Sequence, residues 1–447
     1  MTVDTATNET IELMQVMIRN ACVNDGRAES GQEVRSSNTL HAYLEGSGLD
    51  LEVYDPTPGR RSLVARISGS DPAAPTLCLM GHTDVVPVSP DGWSRDPFGG
   101  ELIDGELWGR GALDMLNLTA SMAVATKQLA REGWKPRGTL IYFAVADEEA
   151  GGRHGAGWMV ANALDAVDCD WVITESGGVS VHGARGHRVT VTVGEKGAAW
   201  RRLRVRGTPG HGSTPYGSDN ALVTAAEVVR RLATFRPATE VNEIWKAYVS
   251  SLDLPPELIG ALSDASTIDD ALDRLPDART AKFAHACTHM TLSPNVVHGG
   301  VKTNVIPDEV VIEVDIRTLP GQTADDVART LDDALGPALA ARVTVEDISN
   351  RVSSASPIGT PVYDAMEKVA KRFYPEATLV PRITAGGTDA TFFREVGIPS
   401  YGFGLYSPRV TFEEFSSRFH GNDERIDVES LRLTTQAWLE LCRDLLD

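Results

Sequence analysis

Apolar residues recur at helical spacing over about 9–21 and 32–46, and strand-like alternation follows at 51–54 and 62–67. Three nearly unbroken apolar runs come next. Thr76–Leu79 leads into Met80-Gly81-His82-Thr83-Asp84, Gly138–Val145 leads into Ala146-Asp147-Glu148-Glu149, and Trp171–Thr174 leads into Glu175-Ser176-Gly177-Gly178. Runs of this kind predict strands buried on both faces. Helical spacing separates them, at roughly 117–132 and 155–163. The alternation predicts an α/β fold, a mostly parallel sheet covered by helices.

Near His187 the pattern changes. Residues 188–193 and 200–206 alternate, as half-exposed antiparallel strands do. Helices are expected at about 220–235 and 324–341, with strands around Val305, over 310–316 and at 342–345. Residues 237–282 are acidic and partly helical, and read as an insertion. From Pro357 the first pattern returns, with helices over 360–373 and 428–446. The expected organisation is a smaller α+β domain, 188–350, inserted into a discontinuous domain of 1–187 and 351–447.

The length of 447 residues fits two cores, and 42% hydrophobic with 23% charged residues is the composition of a soluble globular protein. Lys plus Arg number 42 against 62 Asp plus Glu, a formal net charge of −20. That balance argues against nucleic acid or an anionic membrane as partner. Five cysteines, an odd number without C-x-x-C, argue against a disulfide framework and for a reducing compartment. Residues 1–5 show no signal-peptide pattern, and no apolar stretch is long enough to cross a membrane, so a cytoplasmic location is expected.

Each predicted strand end carries metal-binding chemistry. His82 and Asp84 share one face where their strand ends, and a metal-binding histidine usually donates its other ring N–H to a carboxylate. Alone, His82 could equally be a core histidine, Asp147-Glu148-Glu149 a solvated acidic turn, and His420 a surface-loop residue. Together His82, Asp114, Glu148, Glu149, Glu175 and His420 form a set from separate loops. Two histidines with several carboxylates suit Zn²⁺ better than Ca²⁺ or Mg²⁺. Two such ions can share a bridging carboxylate and an acidified water, while a free carboxylate moves the water's proton to the leaving nitrogen. The adjacent pair Glu148-Glu149 can divide those tasks.

With these stretches in hand the chain resembles the M20 family of metallopeptidases and amide hydrolases. The matching segments are GHTDVVP (81–87), GWSRDPFGGELIDGELWGRGALDM (92–115), ADEEAGG (146–152), TESGG (174–178), GHGS (210–213), NVIP (304–307), DIR (315–317), GGTDA (386–390) and HGNDER (420–425). They cover most of the chain in the family's order, and are most similar to the aminoacylase-1 and carboxypeptidase S side.

The resemblance implies a zinc-exopeptidase-like catalytic domain with an inserted lid and dimerisation domain. It implies two Zn²⁺ per subunit, with Co²⁺ or Mn²⁺ as alternatives. His82 and Glu175 would hold one ion, Glu149 and His420 the other, and Asp114 would bridge them. Glu148 would be the general base and then acid, and Asp84 would orient His82. A cis peptide is implied at Asp114-Met115. His211 would serve the partner subunit's site in a homodimer, stabilising an oxyanion, while Asn304, Arg317 and the backbone at Gly387 would hold the substrate. Two departures stand out: Leu116-Asn117 replaces the common Lys-Gly after the bridging position, and Glu175 stands where several subfamilies have Asp.

The implied activity is hydrolysis of an amide bond in N-acyl amino acids or short peptides with a free carboxylate. The rival is a catalytically inactive, metal-bound peptide-binding protein of the same fold, which the intact Glu148 disfavours. A serine or cysteine hydrolase ranks below both, since neither G-x-S-x-G nor a convincing Cys–His pair occurs. His285, Cys287 and His289 have strand-like spacing that mimics a metal site, and a structural role is expected for them. No metal is assigned to them, nor to His41, His154, His182, His187 or His298.

Overall fold

A computed structural model describes residues 4–181, 187–275 and 278–447, so His182 lies outside the described residues. The apolar runs build the centre of a ten-stranded sheet. Thr139–Val145, Thr76–His82, Trp171–Thr174 and Ser400–Gly402 lie side by side and parallel. Both flanks are antiparallel: Asp50–Tyr54 and Ser62–Ile67 extend one edge, and Arg188–Glu195 pairs antiparallel with Ser400–Gly402 at the other. Helices Thr5–Asn20, Leu116–Arg131, Pro361–Phe373 and Val428–Leu446 bury one face in the main core. Ala156–Asn162 and Ala390–Glu395 cover the other face with a second core. Among the described residues, no helix is long and apolar enough to cross a membrane.

The strand Arg188–Glu195 was expected in the smaller domain but belongs to the large sheet, where it runs parallel to Thr378–Thr384. Its threonines mislead a polarity pattern. Thr190 and Thr192 are as buried as Val189, Val191 and Val193, and the Thr190 hydroxyl donates to the Val179 carbonyl at 2.9 Å. The crossing into the small sheet therefore falls at Lys196, beyond the expected boundary at 188, and the return falls just after Arg351.

The small sheet has five antiparallel strands centred on Glu309–Thr318. Helices Ala221–Thr234 and Ala324–Leu335 cover one face and share a core with it. The second helix stops at Gly336 rather than running to 341. Among the described residues, the insertion forms four short helices between Glu243 and Thr288 that pack on Val380 of the large sheet. His285, Cys287 and His289 are not strand-like: the first two lie in the helix Ala278–Thr288, and His285 and His289 stack at 4.2 Å.

Candidate metal centre

Ligands and catalytic groups collect where parallel strands end, and this sheet follows that rule. His82 closes its strand, Glu148 and Glu149 form a single 3₁₀ turn just past Val145, and Glu175 follows Thr174. Gly81 lets the strand pass tightly against the helix behind it, because a Cβ there would sit 2.5 Å from the Thr119 hydroxyl. That hydroxyl donates to the His82 carbonyl at 2.7 Å.

Asp114 lies at the centre of the cluster and is 3% exposed. Its Oδ1 is 3.1 Å from His82 Nε2, and its Oδ2 is 2.7 Å from His420 Nε2. Glu175 Oε1 is 4.0 Å from the same His82 nitrogen, and Glu149 Oε2 is 3.3 Å from the same His420 nitrogen. Two triads result, His82–Asp114–Glu175 and Asp114–Glu149–His420, each with its ligand atoms within 4.8 Å of one another. Glu148 approaches His82 and Glu149 to the same limit. The Asp114-Met115 peptide is cis. Asp147, Ser176 and His420 take left-handed backbone, uncommon for residues with side chains and concentrated at functional sites.

The donor chemistry fits divalent cations. Among the described residues, no Lys or Arg pairs with Asp114, Glu148, Glu149 or Glu175, and Glu149 Oε1 is buried without a hydrogen-bond partner. Burial, then the charge of Glu175, pushes Glu148 well above the ordinary carboxylate range. Burial, then Asp114, does the same to Glu175 and brings Glu149 to about 7. Burial would also raise Asp114, but hydrogen bonds from His420 and His82 hold it below the usual range. Buried carboxylates crowded in this way require positive charge.

Behind the cluster lies a buried polar network. His82 Nδ1 meets the Asp84 backbone carbonyl at 3.0 Å, with the Asp84 carboxylate farther off at 3.6 Å. That carboxylate accepts from the backbone N–H groups of Glu148 and Glu149, at 3.3 and 3.1 Å, and from Asn24 at 2.8 Å. Asp84 thus orients His82 through its backbone and fixes the Glu148-Glu149 turn through its side chain. Glu33 and Arg60, paired at 2.7 Å, brace Asp147, whose N–H donates to Glu33 at 3.1 Å. On the other side Glu424 accepts from the N–H groups of Gly111, Leu113 and Asp114, and pairs with Arg110 at 2.6 Å. Arg110 also reaches the His420 carbonyl at 3.3 Å.

The cluster opens into a cleft of ≈ 1300 Å³ between the two sheets. Arg317 and Gly387 line it together with Glu148, Glu149 and His420. His211 and Asn304 do not. They sit side by side at an exposed two-stranded ladder, Gly210–His211 against Val305–Ile306, separate from the five-stranded sheet; there the Gly212 N–H donates to the Asn304 carbonyl at 2.8 Å and the His211 ring meets Ser213 at 2.7 Å. Asn117 is buried and donates to the Tyr406 hydroxyl at 3.1 Å, so the departure after Asp114 serves packing behind the site.

The pattern of peptidase family M20/M25/M40 matches residues 78–444. The chain belongs to that family. It is accordingly a hydrolase of the M20 type. It is 28% identical over 427 residues to a succinyl-diaminopimelate desuccinylase of Cereibacter sphaeroides, covering 92% of this chain and 94% of the relative. It is 26% identical over 394 residues to the N-fatty-acyl-amino acid synthase/hydrolase PM20D1 of Xenopus tropicalis, covering 86% and 75%. The M20 metallo-carboxypeptidase Sso-CP2 of Sulfolobus solfataricus shares the fold with a TM-score of 0.73 at 20% identity, over 99% of both chains.

Within this M20 chain, sequence reasoning missed Asn24, Glu33, Arg60, Arg110 and Glu424 as organisers of the site. Arg110 and Glu424 lie inside matching segments and could have been singled out there. Asn24, Glu33 and Arg60 carry no local signal, since their importance arises only from contacts with residues far along the chain.

Proposed function

We propose that this chain is a two-zinc hydrolase of the amide bond in N-acyl amino acids or short peptides bearing a free carboxylate. The observation that carries the reading is Asp114, whose two oxygens face different histidines, each with its own further carboxylate. His82 and Glu175 would hold one ion, His420 and Glu149 the other, and Asp114 both. Bound zinc supplies Lewis acidity to the amide carbonyl and acidifies the attacking water. Glu148, raised by burial and by the charge of Glu175, takes the water's proton and passes it to the leaving nitrogen. Two histidines in the donor set favour zinc, with cobalt or manganese as substitutes.

His211 and Asn304 act from a second copy of the chain, His211 donating to the developing oxyanion. The cleft walls at Gly387 and Arg317 hold the substrate. The reading fits a cytoplasmic homodimer without nucleic-acid or membrane partners.

The test is Glu148→Gln. Turnover of an acyl-amino-acid and dipeptide panel should fall by about 10²–10⁴-fold, while metal content stays at the wild-type level. Full activity in that variant overturns the assignment, as does a wild-type protein inactive on the whole panel when loaded with zinc.

A further inference from the structure

The residue expected to hold the substrate's carboxylate already has one. The Arg317 fork engages Asp315 bidentately, Nε to Oδ1 at 2.7 Å and Nη2 to Oδ2 at 3.2 Å, and its guanidinium lies 5.5 Å from the Trp200 ring. Much of its charge is therefore spent within the small sheet. The other arginines of the cleft divide clearly. Arg27 pairs with Asp25, and Arg60 pairs with Glu33. Arg153 is exposed, and among the described residues no hydrogen bond fixes it. Arg351 is half-buried, and among the described residues no carboxylate pairs with it.

Arg351 is also held in place. Its backbone forms a two-way bridge with Ala198, both hydrogen bonds at 3.0 Å, where the two crossings between the sheets run side by side. Its side chain extends from there into the cleft. Nη2 donates to the carbonyl of Gly151, the residue that ends the Glu148-Glu149 turn, at 2.7 Å. The guanidinium lies 5.8 Å from the Phe392 ring, and Nη1 occupies the space that a Cβ on Gly387 would need, 2.8 Å from that position. One edge of the fork is thus anchored beside the catalytic turn, while the remaining donors face the cleft. Glu195 and Asp389 bear on its charge from farther off, and neither is within ion-pair distance. A fixed guanidinium with donors left over beside the cleft is preorganised for a planar anion.

We infer that Arg351 is the residue that binds the free carboxylate of the substrate and sets the preference for free acids over neutral analogues. The inference rests on the hydrolase reading above. Arg317 then serves the cleft as a charge-balanced wall with Trp200, and the absence of a side chain at Gly387 makes room for the guanidinium.

The experiment compares wild type, Arg351→Ala, Arg351→Lys and Arg153→Ala on an N-acetyl amino acid and on its C-terminal carboxamide. Arg351→Ala should raise KM for the free acid about 10- to 100-fold, the loss of a charge-assisted hydrogen-bond pair. KM for the carboxamide should stay within about twofold, with kcat little changed on either substrate. Arg351→Lys, which keeps the charge but not the fork, should fall between. Equal kcat losses on both substrates would mean that Arg351 only tethers Gly151, and would overturn the inference. So would an unchanged KM for the acid, or loss of the acid preference in Arg153→Ala instead. A wild-type enzyme inactive on both compounds removes the hydrolase reading and this inference with it.

Discussion

Asp114 and His211 were both assigned to the site, and the chain treats them in opposite ways. Asp114 is buried, its N–H is fixed by Glu424, and its two oxygens face two histidines. His211 lies on an exposed two-stranded ladder, and among the described residues its ring meets only Ser213, two residues on; Tyr216 and Val301 are also exposed. The loops at the end of the large sheet are thus fixed by groups from within the same chain, often hundreds of positions apart. The ladder that carries His211 is left open, so any catalytic use of it calls for another surface. A metal cluster of crowded carboxylates must be fixed before the ions arrive, because loose ligands would separate by repulsion. A group that acts only on bound substrate has no such requirement, and can be delivered by a partner or by lid motion.

The largest effect should come from removing the internal support. Glu424→Ala leaves the buried Arg110 charge unpaired and three backbone donors unsatisfied, a cost of about 3–5 kcal/mol. A denaturant titration of the apo protein, paired with metal analysis, checks it. A stable variant that retains its metal would break the claim that the cluster is held from within.

Next comes the exposed ladder that carries His211. His211→Ala should lower kcat by about 10²–10³-fold without changing metal content, as expected for a lost oxyanion donor. Mixing subunits of His211→Ala and Glu148→Gln should restore activity, because mixed dimers contain one site with an intact base and a borrowed histidine. If the mixture stays inactive while both variants remain dimeric, the histidine is not borrowed and the comparison fails.

Asp84→Asn sharpens the first half. The His82 contact to the backbone carbonyl survives, but the acceptors for the Glu148 and Glu149 N–H groups weaken. Metal affinity should fall by about 10–100-fold, with kcat reduced in the metal-saturated protein as well. A loss of affinity alone would show that the turn keeps its shape without the carboxylate.

The smallest effect concerns Lys196, at the crossing that joins the two regions. Its ammonium is buried and donates to the Ala286 and His289 carbonyls, both at 2.7 Å. Burial pushes its pKa from 10.5 down to about 8. Between those values the unfolded chain binds more protons than the folded one, so this group makes stability rise with pH over that window. Below about 8 both states are protonated and the penalty is present in full. Lys196→Met should flatten the rise in a series of denaturant midpoints across the window, and parallel curves for the two proteins would refute it.

More of the candidate cluster than of the frame around it was legible in the sequence. His82, Glu148, Glu149 and Glu175 each follow an apolar run, so the end of the run marks where the chain leaves the sheet. The strand Arg188–Glu195 was placed in the wrong sheet because threonine reads as polar, while a Thr hydroxyl bonded to a neighbouring carbonyl is buried as readily as valine. His285 and His289 were given strand spacing, although separation by four residues equally describes one face of a helix. Arg351 carried no motif at all; its interest comes from Gly151, 200 positions away.

What the sequence determined by itself were local quantities: the strands buried on both faces, the helices between them, and which residue types stand at the strand ends. These follow from side-chain polarity and spacing within a few residues, which the chain carries wherever it folds. Only the tertiary structure decided that Asp114 turns one oxygen to His82 and the other to His420, that the Asp84 carboxylate supports the Glu148-Glu149 turn, and that Arg317 pairs with Asp315 while Arg351 reaches the Gly151 carbonyl. Those relations are distances between groups brought together by packing, and the favourable charge balance of a buried site depends on every neighbour within a few ångströms, whatever its place in the chain.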